Sequence, residues 1–193
     1  MRRYHPWLFG LFSCTLVVAC QQSAVSDDEQ LYHQKAAEVT TFFLKNTPDC
    51  HCIMEPSRES LVRITHSDQP EQDTLSYRKR MMQRLGITQP SALDRMIALS
   101  TTYDIYKAVS DAPVKIFSRQ PMDTIQSPKT FRLWMDSLSQ QCPEGIYYVN
   151  KPIFNENFNR VSFEIGLGGG CFPSDPMILE YREDGWFCED CLW

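Results

Sequence analysis

Two short stretches of the chain combine residue types that can bind metal ions or exchange electrons. The first, DCHCIM at residues 49–54, holds two thiols, an imidazole and a thioether, which suit Cu(I) while the thiols stay reduced. The second, CEDC at residues 188–191, has the C-x-x-C spacing of thiol–disulfide oxidoreductases. The two cysteines of each stretch would also supply the four ligands of a zinc site: Cys50, Cys52, Cys188 and Cys191.

Disulfide bonds are the alternative for these cysteines, and we favour them. Glu189 and Asp190 would disfavour a thiolate within CEDC, whereas redox motifs stabilise one by beginning a helix. Oxidation would also remove the thiolates that a metal ion needs. Downstream of the export signal described below lies an even number of cysteines, typical of a disulfide framework: Cys50, Cys52, Cys142, Cys171, Cys188 and Cys191. We therefore predict disulfides, no metal site and no cofactor.

The strands expected near the C-terminus suggest how these cysteines pair. If residues 146–150 and 160–165 form a wide hairpin, Cys142 lies opposite about residue 169, which brings Cys171 within reach. A C-x-C segment closes too small a ring to bridge comfortably to itself, and a chain end gains from being tied down. We therefore predict a Cys142–Cys171 bridge, with Cys50 and Cys52 joined to Cys188 and Cys191.

Signatures of catalysis are missing from the sequence. GLGGGC, residues 166–171, lacks the G-K-[ST] that holds a nucleotide phosphate, and no G-x-S-x-G nucleophile elbow occurs. Downstream of the leader, the histidines are His33, expected on an exposed helix position, His51, and His66 in an HSD stretch typical of a turn. We therefore predict that the protein is not an enzyme.

The first twenty residues have the pattern of an export signal. Two arginines precede an apolar run, residues 7–18, that is too short for an ordinary transmembrane helix. The run ends in LVVAC, residues 16–20, which resembles the lipobox of bacterial lipoproteins. This resemblance implies cleavage before Cys20, acylation of that cysteine with fatty acids such as palmitate, and a lipid anchor in the cell envelope. In enteric-type lipoproteins, an aspartate after the acylated cysteine retains the protein in the inner membrane. Because this chain has Gln21 at that position, the resemblance also implies attachment to the outer membrane, facing the periplasm, in a host with two membranes.

Cleavage before Cys20 would divide the chain into a signal peptide at 1–19, a polar tether at 20–30 and a single domain at 31–193. No second apolar run approaches the ~18 residues of a membrane span. Loss of two arginines would change the net charge from −5 to −7. An acidic chain whose one basic cluster lies at residues 78–84 is poorly suited to a phosphate backbone. We therefore predict membrane attachment through the lipid and no nucleic-acid partner.

Apolar residues at helical spacing predict four helices in the first part of the domain. An S-x-x-E capping box at residues 26–29 begins the first, and Pro48 ends it by about residue 46. The second spans about 75–85 and stops at Gly86, and the third spans about 91–109.

The fourth helix has the clearest signals. Ser127 is placed as its N-cap and Pro128 as its first residue. Four apolar side chains then share one face, which is expected in the core: Phe131, Trp134, Met135 and Leu138. A short alternating piece at residues 61–66 is compatible with a strand.

After Cys142 the pattern changes to aromatic and β-branched runs separated by turns at residues 155–157 and 183–185. Within residues 161–166, apolar and polar or small side chains alternate, which predicts a strand with one buried and one wet face. The predicted fold class is α+β: N-terminal helices followed by a small C-terminal antiparallel β-meander, stabilised by disulfides.

Residues 145–187, GIYYVNKPIFNENFNRVSFEIGLGGGCFPSDPMILEYREDGWF, resemble the C-terminal segment of a group of small secreted bacterial proteins with no established activity. That group has a Pro-Ile-Phe-like turn, a Gly/Cys-rich loop and a hairpin closing on Gly-x-Trp. The present chain departs from it because its loop has one cysteine, Cys171, and a further pair follows the tryptophan. The resemblance implies export and a fold, and transfers no functional residue.

The C-terminal part of the chain is strongly acidic. From Glu144 onward it carries nine carboxylates against three basic residues, a balance of −6. Five aromatic residues lie among these charges, a combination typical of interface anchors: Tyr147, Tyr148, Phe172, Trp186 and Trp193. We predict that the wet face and loops of the sheet bind an envelope protein partner, with Glu180, Glu183 and Asp184 in the binding surface. The alternative function is soft-metal binding or thiol–disulfide chemistry at the two cysteine stretches.

Overall fold

The computed structural model describes residues 26–47, 52–57, 70–163, 165–167 and 177–188. Within these ranges the chain forms six helices and eight short strands. The helices are α1 (Asp27–Asn46), α2 (Pro70–Leu85), α3 (Pro90–Ser100), α4 (Ile105–Ala108), α5 (Gln120–Thr124) and α6 (Pro128–Gln141). The strands are β1 (Cys52–Met54), β2 (Lys115–Phe117), β3 (Tyr147–Val149), β4 (Ile153–Phe154), β5 (Arg160–Phe163), β6 (Ile165–Leu167), β7 (Met177–Arg182) and β8 (Gly185–Cys188). The predicted α+β class is confirmed.

Helix α1 begins and ends where its sequence predicts. The backbone N–H of Glu29 donates to the Ser26 hydroxyl at 3.2 Å, which satisfies one of the free N–H groups at the helix start. The helix buries one face against the rest of the domain through Tyr32, Ala36, Val39, Thr40 and Phe43. Because the helix starts at Asp27, residues 27–30 of the predicted tether are helical.

The region predicted as one helix over 91–109 is instead two helices, α3 and α4. At the end of α3, the hydroxyls of Ser100, Thr101 and Thr102 each donate to the backbone carbonyl three residues earlier. The chain leaves the helix at this point. The Asp104 carboxylate then accepts the backbone N–H groups of Tyr106 and Lys107, which starts α4. Helix α2 ends before Gly86, as predicted, with the glycine at φ +72°.

The first sheet has the strand order β2-β1-β3-β6. Strand β1 lies between β2 and β3 and is parallel to both, whereas β6 is antiparallel to β3. Ile53, on one face of β1, belongs to the main core, which includes α1. Met54 and Cys52 face the other way and pack with Leu138 of α6 in a second, smaller core. The sheet is therefore sandwiched between α1 and α6.

Helices α1 and α6 both run opposite to the parallel strands. Phe43, late in α1, packs against Tyr147 at the start of β3 with ring centroids 5.9 Å apart, whereas Tyr32, early in α1, reaches Pro152 beyond the end of β3. Residue Cys142, directly after α6, is bonded to the first residue of β1. Helix α6 lies in the crossover between the parallel strands β2 and β3, and such helices take this direction because the chain must return to the edge at which the strands begin.

The second sheet is antiparallel, with the order β4-β5-β7-β8. Phe154, Val161 and Leu179 lie side by side across it on one face. Tyr32 of α1 packs edge-on against Phe154 at 5.6 Å between ring centroids, so this face contributes to the same core as α1.

The predicted C-terminal antiparallel meander is confirmed as the second sheet, but the strand pairing expected at its start is wrong. Strand β3 does not form a hairpin with β5: it pairs with β1 and β6, and the two predicted segments meet only at Val149 and Ile165. Residues 160–167 are divided between the two sheets, which sequence alternation cannot reveal. The expected wet face is also absent at Ser162, which is 4% exposed. The predicted strand at 61–66 lies outside the described residues.

Helix α6 begins at Pro128 as predicted, but its apolar face is only partly buried. Leu138 is buried, whereas Phe131 is 38% exposed, and Trp134 and Met135 are half-buried. The Ser127 side chain makes no capping hydrogen bond. The expectation that all four apolar residues lie in the core is therefore wrong for Phe131.

One disulfide joins Cys52 to Cys142, with their Cα atoms 6.3 Å apart. This overturns the predicted Cys142–Cys171 bridge and the predicted bond from Cys52 to the C-terminal pair. The reason is the parallel pairing of β1 with β3, which brings Cys52 to the end of α6. Cys188 is also disulfide-bonded, and its partner lies outside the described residues.

In the described part of the chain, no helix is long and apolar enough to span a bilayer.

Candidate functional site

A cleft lies at the edge of the first sheet where the parallel strands end. Glu55 directly follows β1, and Lys151 follows β3 after one residue, so both emerge at the same edge. Ligands commonly bind outside the carboxyl ends of parallel strands, where successive segments diverge. The α3–α4 connection closes the cleft on another side. The cavity has a volume of about 250 Å³, and its polar lining consists of Glu55, Ser57, Tyr103, Asp104, Tyr106 and Lys151.

Lys151 is the unusual member of this set, since lysine side chains are rarely buried. Only 8% of the residue is exposed. Its Nζ donates to the backbone carbonyl of Thr101 at 3.5 Å, the outer limit of a hydrogen bond. Burial lowers the pKa of this ammonium below its usual value. The next residue, Pro152, is fixed to the core, because its carbonyl accepts a buried hydrogen bond of 3.0 Å from the Tyr32 hydroxyl.

Two carboxylates of the cleft are fixed by hydrogen bonds. One oxygen of Glu55, Oε2, accepts both the Ser118 hydroxyl and the Arg119 backbone N–H at 3.3 Å. Oδ1 of Asp104 accepts the two N–H groups that begin α4. The pKa of Tyr106 is raised by burial and then by the charges of Glu55 and Asp104, which places its phenol within the field of both carboxylates.

Tyr103 holds the α3–α4 connection against α1. Its hydroxyl shares a buried hydrogen bond of 2.8 Å with Thr40 Oγ1. Burial raises the pKa of Tyr103 far above its usual value, so the phenol stays neutral at every physiological pH. The cleft therefore combines one buried cation with two oriented carboxylates on a rigid frame.

The acidic residues predicted as a binding surface lie on the β7–β8 hairpin. Glu183 and Asp184 form its exposed two-residue turn, as the sequence predicts. Glu180 lies within the sheet and is paired with Arg160 at 3.5 Å and with Arg182 at 3.2 Å. Its charge is thus balanced locally, whereas the turn carboxylates have no charged partner among the described residues. We call residues 181–187 the hairpin tip.

Two aromatic rings flank the turn on the outside of the hairpin tip. Tyr181 is 42% exposed and Phe187 is 43% exposed. Each ring makes a cation–π contact. Lys35 Nζ lies 4.0 Å from the centre of the Tyr181 ring, and the Arg182 guanidinium lies 4.1 Å from the centre of the Phe187 ring. The tip therefore presents exposed apolar rings and unpaired negative charge together.

The inner side of the hairpin tip is anchored on α1. Trp186 is buried, and Lys35 pairs with Glu38 at 2.7 Å beside it. Partial burial raises the pKa of Glu38, but the hydrogen bonds from Lys35 and Gln34 and the charge of Lys35 outweigh it, so the pKa lies below its usual value. The Trp186 indole N–H lies towards this carboxylate without a hydrogen bond of standard geometry. The hairpin is thus a rigid extension of the core.

The sulfur-rich stretches are only partly described. Cys52 and Cys188 are both disulfide-bonded, which removes one free thiol from each half of the proposed metal sites. Within the described ranges no three His, Cys, Asp or Glu side chains are placed to hold a metal ion. Cys20, Cys50, Cys171 and Cys191 lie outside those ranges, as does His51. His33 lies on α1, half-buried, with its Nε2 3.8 Å from Glu29.

Sequence reasoning missed the Lys151 cleft. Its polar residues come from three segments that are distant in the chain, and they meet only because β1 pairs in parallel with β3. One local signal was available: in NKPIF, at residues 150–154, a lysine stands between a strand and a proline that begins the next one.

Comparison with known proteins adds no further restraint. No protein-family model, no curated protein and no solved structure matches the chain. The resemblances at residues 16–20 and 145–187 therefore stay predictions.

Proposed function

We propose that the protein is a lipid-anchored component of the bacterial cell envelope that acts by binding a protein partner and catalyses no reaction. In a host with two membranes, it would be attached to the outer membrane and face the periplasm. The lipobox-like LVVAC stretch supports the anchor. The hairpin tip supports the binding role, and it is the observation that carries the proposal.

The hairpin tip has the composition of a recognition surface. Exposed aromatic rings are common anchors in protein interfaces, and charges at the rim speed association and select partners. Glu183 and Asp184 stand between two such rings and are not neutralised by any described cation. A basic protein surface is the partner chemistry that this arrangement favours.

The anchor predicts the covalent structure of the mature N-terminus. Mass spectrometry of protein purified from membranes is expected to show a triacylated or diacylated cysteine followed by Gln21. Several acyl chains hold a protein far more firmly than one, since each buried methylene contributes about 0.8 kcal/mol. The Cys20→Ala variant should therefore leave the membrane fraction. A mature chain that begins elsewhere, without lipid, would contradict the anchor and leave the hairpin proposal standing.

The binding role predicts a loss of partner when the hairpin charge is reversed. In the double variant Glu183→Lys, Asp184→Lys, we expect capture of a partner from solubilised envelope to weaken about tenfold, equivalent to ~1.4 kcal/mol. Glu180 is left in place because it balances Arg160 and Arg182 within the sheet. The measurement is quantitative pull-down at low and moderate salt, because screening should weaken the parent complex as well.

A matched control separates local charge from net charge. Asp111 and Asp136 are exposed carboxylates outside the hairpin, and Asp111→Lys, Asp136→Lys changes the net charge by the same amount. This control is expected to retain the partner. If the hairpin variant folds and keeps every partner of the parent, the tip is not the binding surface.

A further inference from the structure

The Lys151 cleft has features that a structural role alone does not require. A buried ammonium lies at the carboxyl ends of two parallel strands, and a cavity opens beside it. The surrounding loops are held by hydrogen bonds from the core, those of Tyr32 to Pro152 and of Tyr103 to Thr40. The cavity is thus preformed on a frame that is fixed independently of any ligand.

The charge pattern of the lining limits what can bind there. An anion alone would meet Lys151 but also the carboxylates of Glu55 and Asp104, which repel it. A cation alone would meet the carboxylates but also the buried ammonium. A molecule with one charge of each sign can satisfy both, with its anionic group at Lys151 and its cationic group at a carboxylate.

The carboxylates retain free capacity for such a ligand. Glu55 uses Oε2 for its two protein hydrogen bonds, which leaves Oε1 without a hydrogen bond to the described residues. Asp104 uses Oδ1 for the start of α4, and its Oδ2 is 3.7 Å from Lys107, whose side chain is 83% exposed. Tyr106, half-exposed at the mouth, adds a phenol and an aromatic face.

The cavity volume suits a small ligand. About 250 Å³ corresponds to roughly eight water molecules at ~30 Å³ each. This is room for a molecule of about ten non-hydrogen atoms, the size of a free amino acid.

The geometry points to a binding site for a small zwitterion of the α-amino acid type, with its carboxylate at Lys151 and its ammonium at Glu55 and Asp104. The site is separate from the hairpin tip, and its occupancy does not depend on the proposed protein partner. A free amino acid and a short peptide both carry an ammonium and a carboxylate, and the test distinguishes the two ligands.

The test is titration calorimetry of the full mature chain, in detergent, with defined probes. Free amino acids of graded size are compared with the same molecules lacking the amine, with the same molecules lacking the carboxylate, and with dipeptides. We expect saturable binding of a free amino acid with one site per chain, and at least tenfold weaker binding of both truncated series. Tighter binding of a dipeptide than of either of its amino acids would assign the site to peptide ends.

Three substitutions complete the test. Lys151→Met is expected to abolish binding, and Glu55→Gln to weaken it at least tenfold. Lys129→Met, at an exposed lysine of α6 outside the cleft lining, is the matched control and should bind as the parent does.

Two outcomes would overturn the inference. One is the absence of saturable binding by any probe in the parent protein. The other is an amine-free or carboxylate-free probe that binds as tightly as the amino acid. If Lys151→Met does not fold, the probe series on the parent still decides the question, because it needs no variant. Failure here leaves the hairpin pull-down unaffected, since that measurement uses a different surface.

Discussion

The double variant Cys52→Ala, Cys142→Ala is expected to lose about 4–5 kcal/mol of unfolding free energy in the chain-entropy model, and somewhat less in practice. The two cysteines are 90 residues apart, so the bridge closes a long loop in the unfolded chain. It also joins β1 to the end of α6, on the face of the sheet where the core is smallest. Urea unfolding of the parent and the variant, both without reductant, measures the loss, because reductant would also cleave the disulfide at Cys188.

Non-reducing peptide mapping checks the connectivity itself. Tryptic cleavage places Cys52 and Cys50 together in residues 46–58, Cys142 in residues 133–160 and Cys171 in residues 161–182. A link between the first two peptides is expected, and fragmentation of that pair should assign it to Cys52. A link from residues 133–160 to 161–182 would contradict the bridge described here and restore the pairing that the sequence suggests.

Phe154→Ala is the second change with a large expected effect, a loss of about 3–5 kcal/mol. The ring is completely buried where the second sheet meets α1. It contacts three aromatic rings, those of Tyr32, Phe158 and Trp186, at centroid distances of 5.6, 5.5 and 5.9 Å. Truncation would leave a cavity lined by rigid rings, which relax little. Since small domains are stable by about 5–15 kcal/mol, this variant is expected to be close to unfolding.

The control for that change is Phe131→Ala on α6. Phe131 is 38% exposed and contacts Trp134, so its removal should cost much less than removal of Phe154. Trp186, next to Phe154, provides a fluorescence signal for urea unfolding of both variants. Equal losses for the two variants would mean that the second sheet does not pack on α1 as described.

Local signals in the sequence were sufficient where short-range chemistry determines structure. The Ser26 hydroxyl caps α1, Gly86 ends α2 and the Glu183–Asp184 turn closes the last hairpin, each as its neighbours predict. In each case the determining contact spans only a few residues, so its pattern is visible in the chain.

Long-range pairing was not predictable in the same way. Strand β1 has only three residues, all buried, and carries no alternation to indicate its neighbours. Its parallel partners are distant in the chain. Cys52 is paired with Lys115, 63 positions later, and Ile53 is paired with Tyr147, 94 positions later. The Cys52–Cys142 bridge and the Lys151 cleft both follow from that pairing, so neither could be inferred from spacing. The acidic hairpin residues were predictable, but their division into paired Glu180 and unpaired Glu183 and Asp184 required the register with Arg160.

The start of α1 marks the end of the domain to which the predicted lipid anchor would be tied. The helix starts at Asp27, and the Tyr32–Pro152 hydrogen bond places the Lys151 loop beside its second turn. Should Cys20 carry the lipid, seven residue steps at ~3.5 Å would separate it from the helix start, a reach of about 25 Å when fully extended. Lys35, in the third turn, holds the hairpin tip. The Lys151 loop and the hairpin tip would therefore both lie at the tethered end of the domain, within reach of partners that are themselves held at the bilayer.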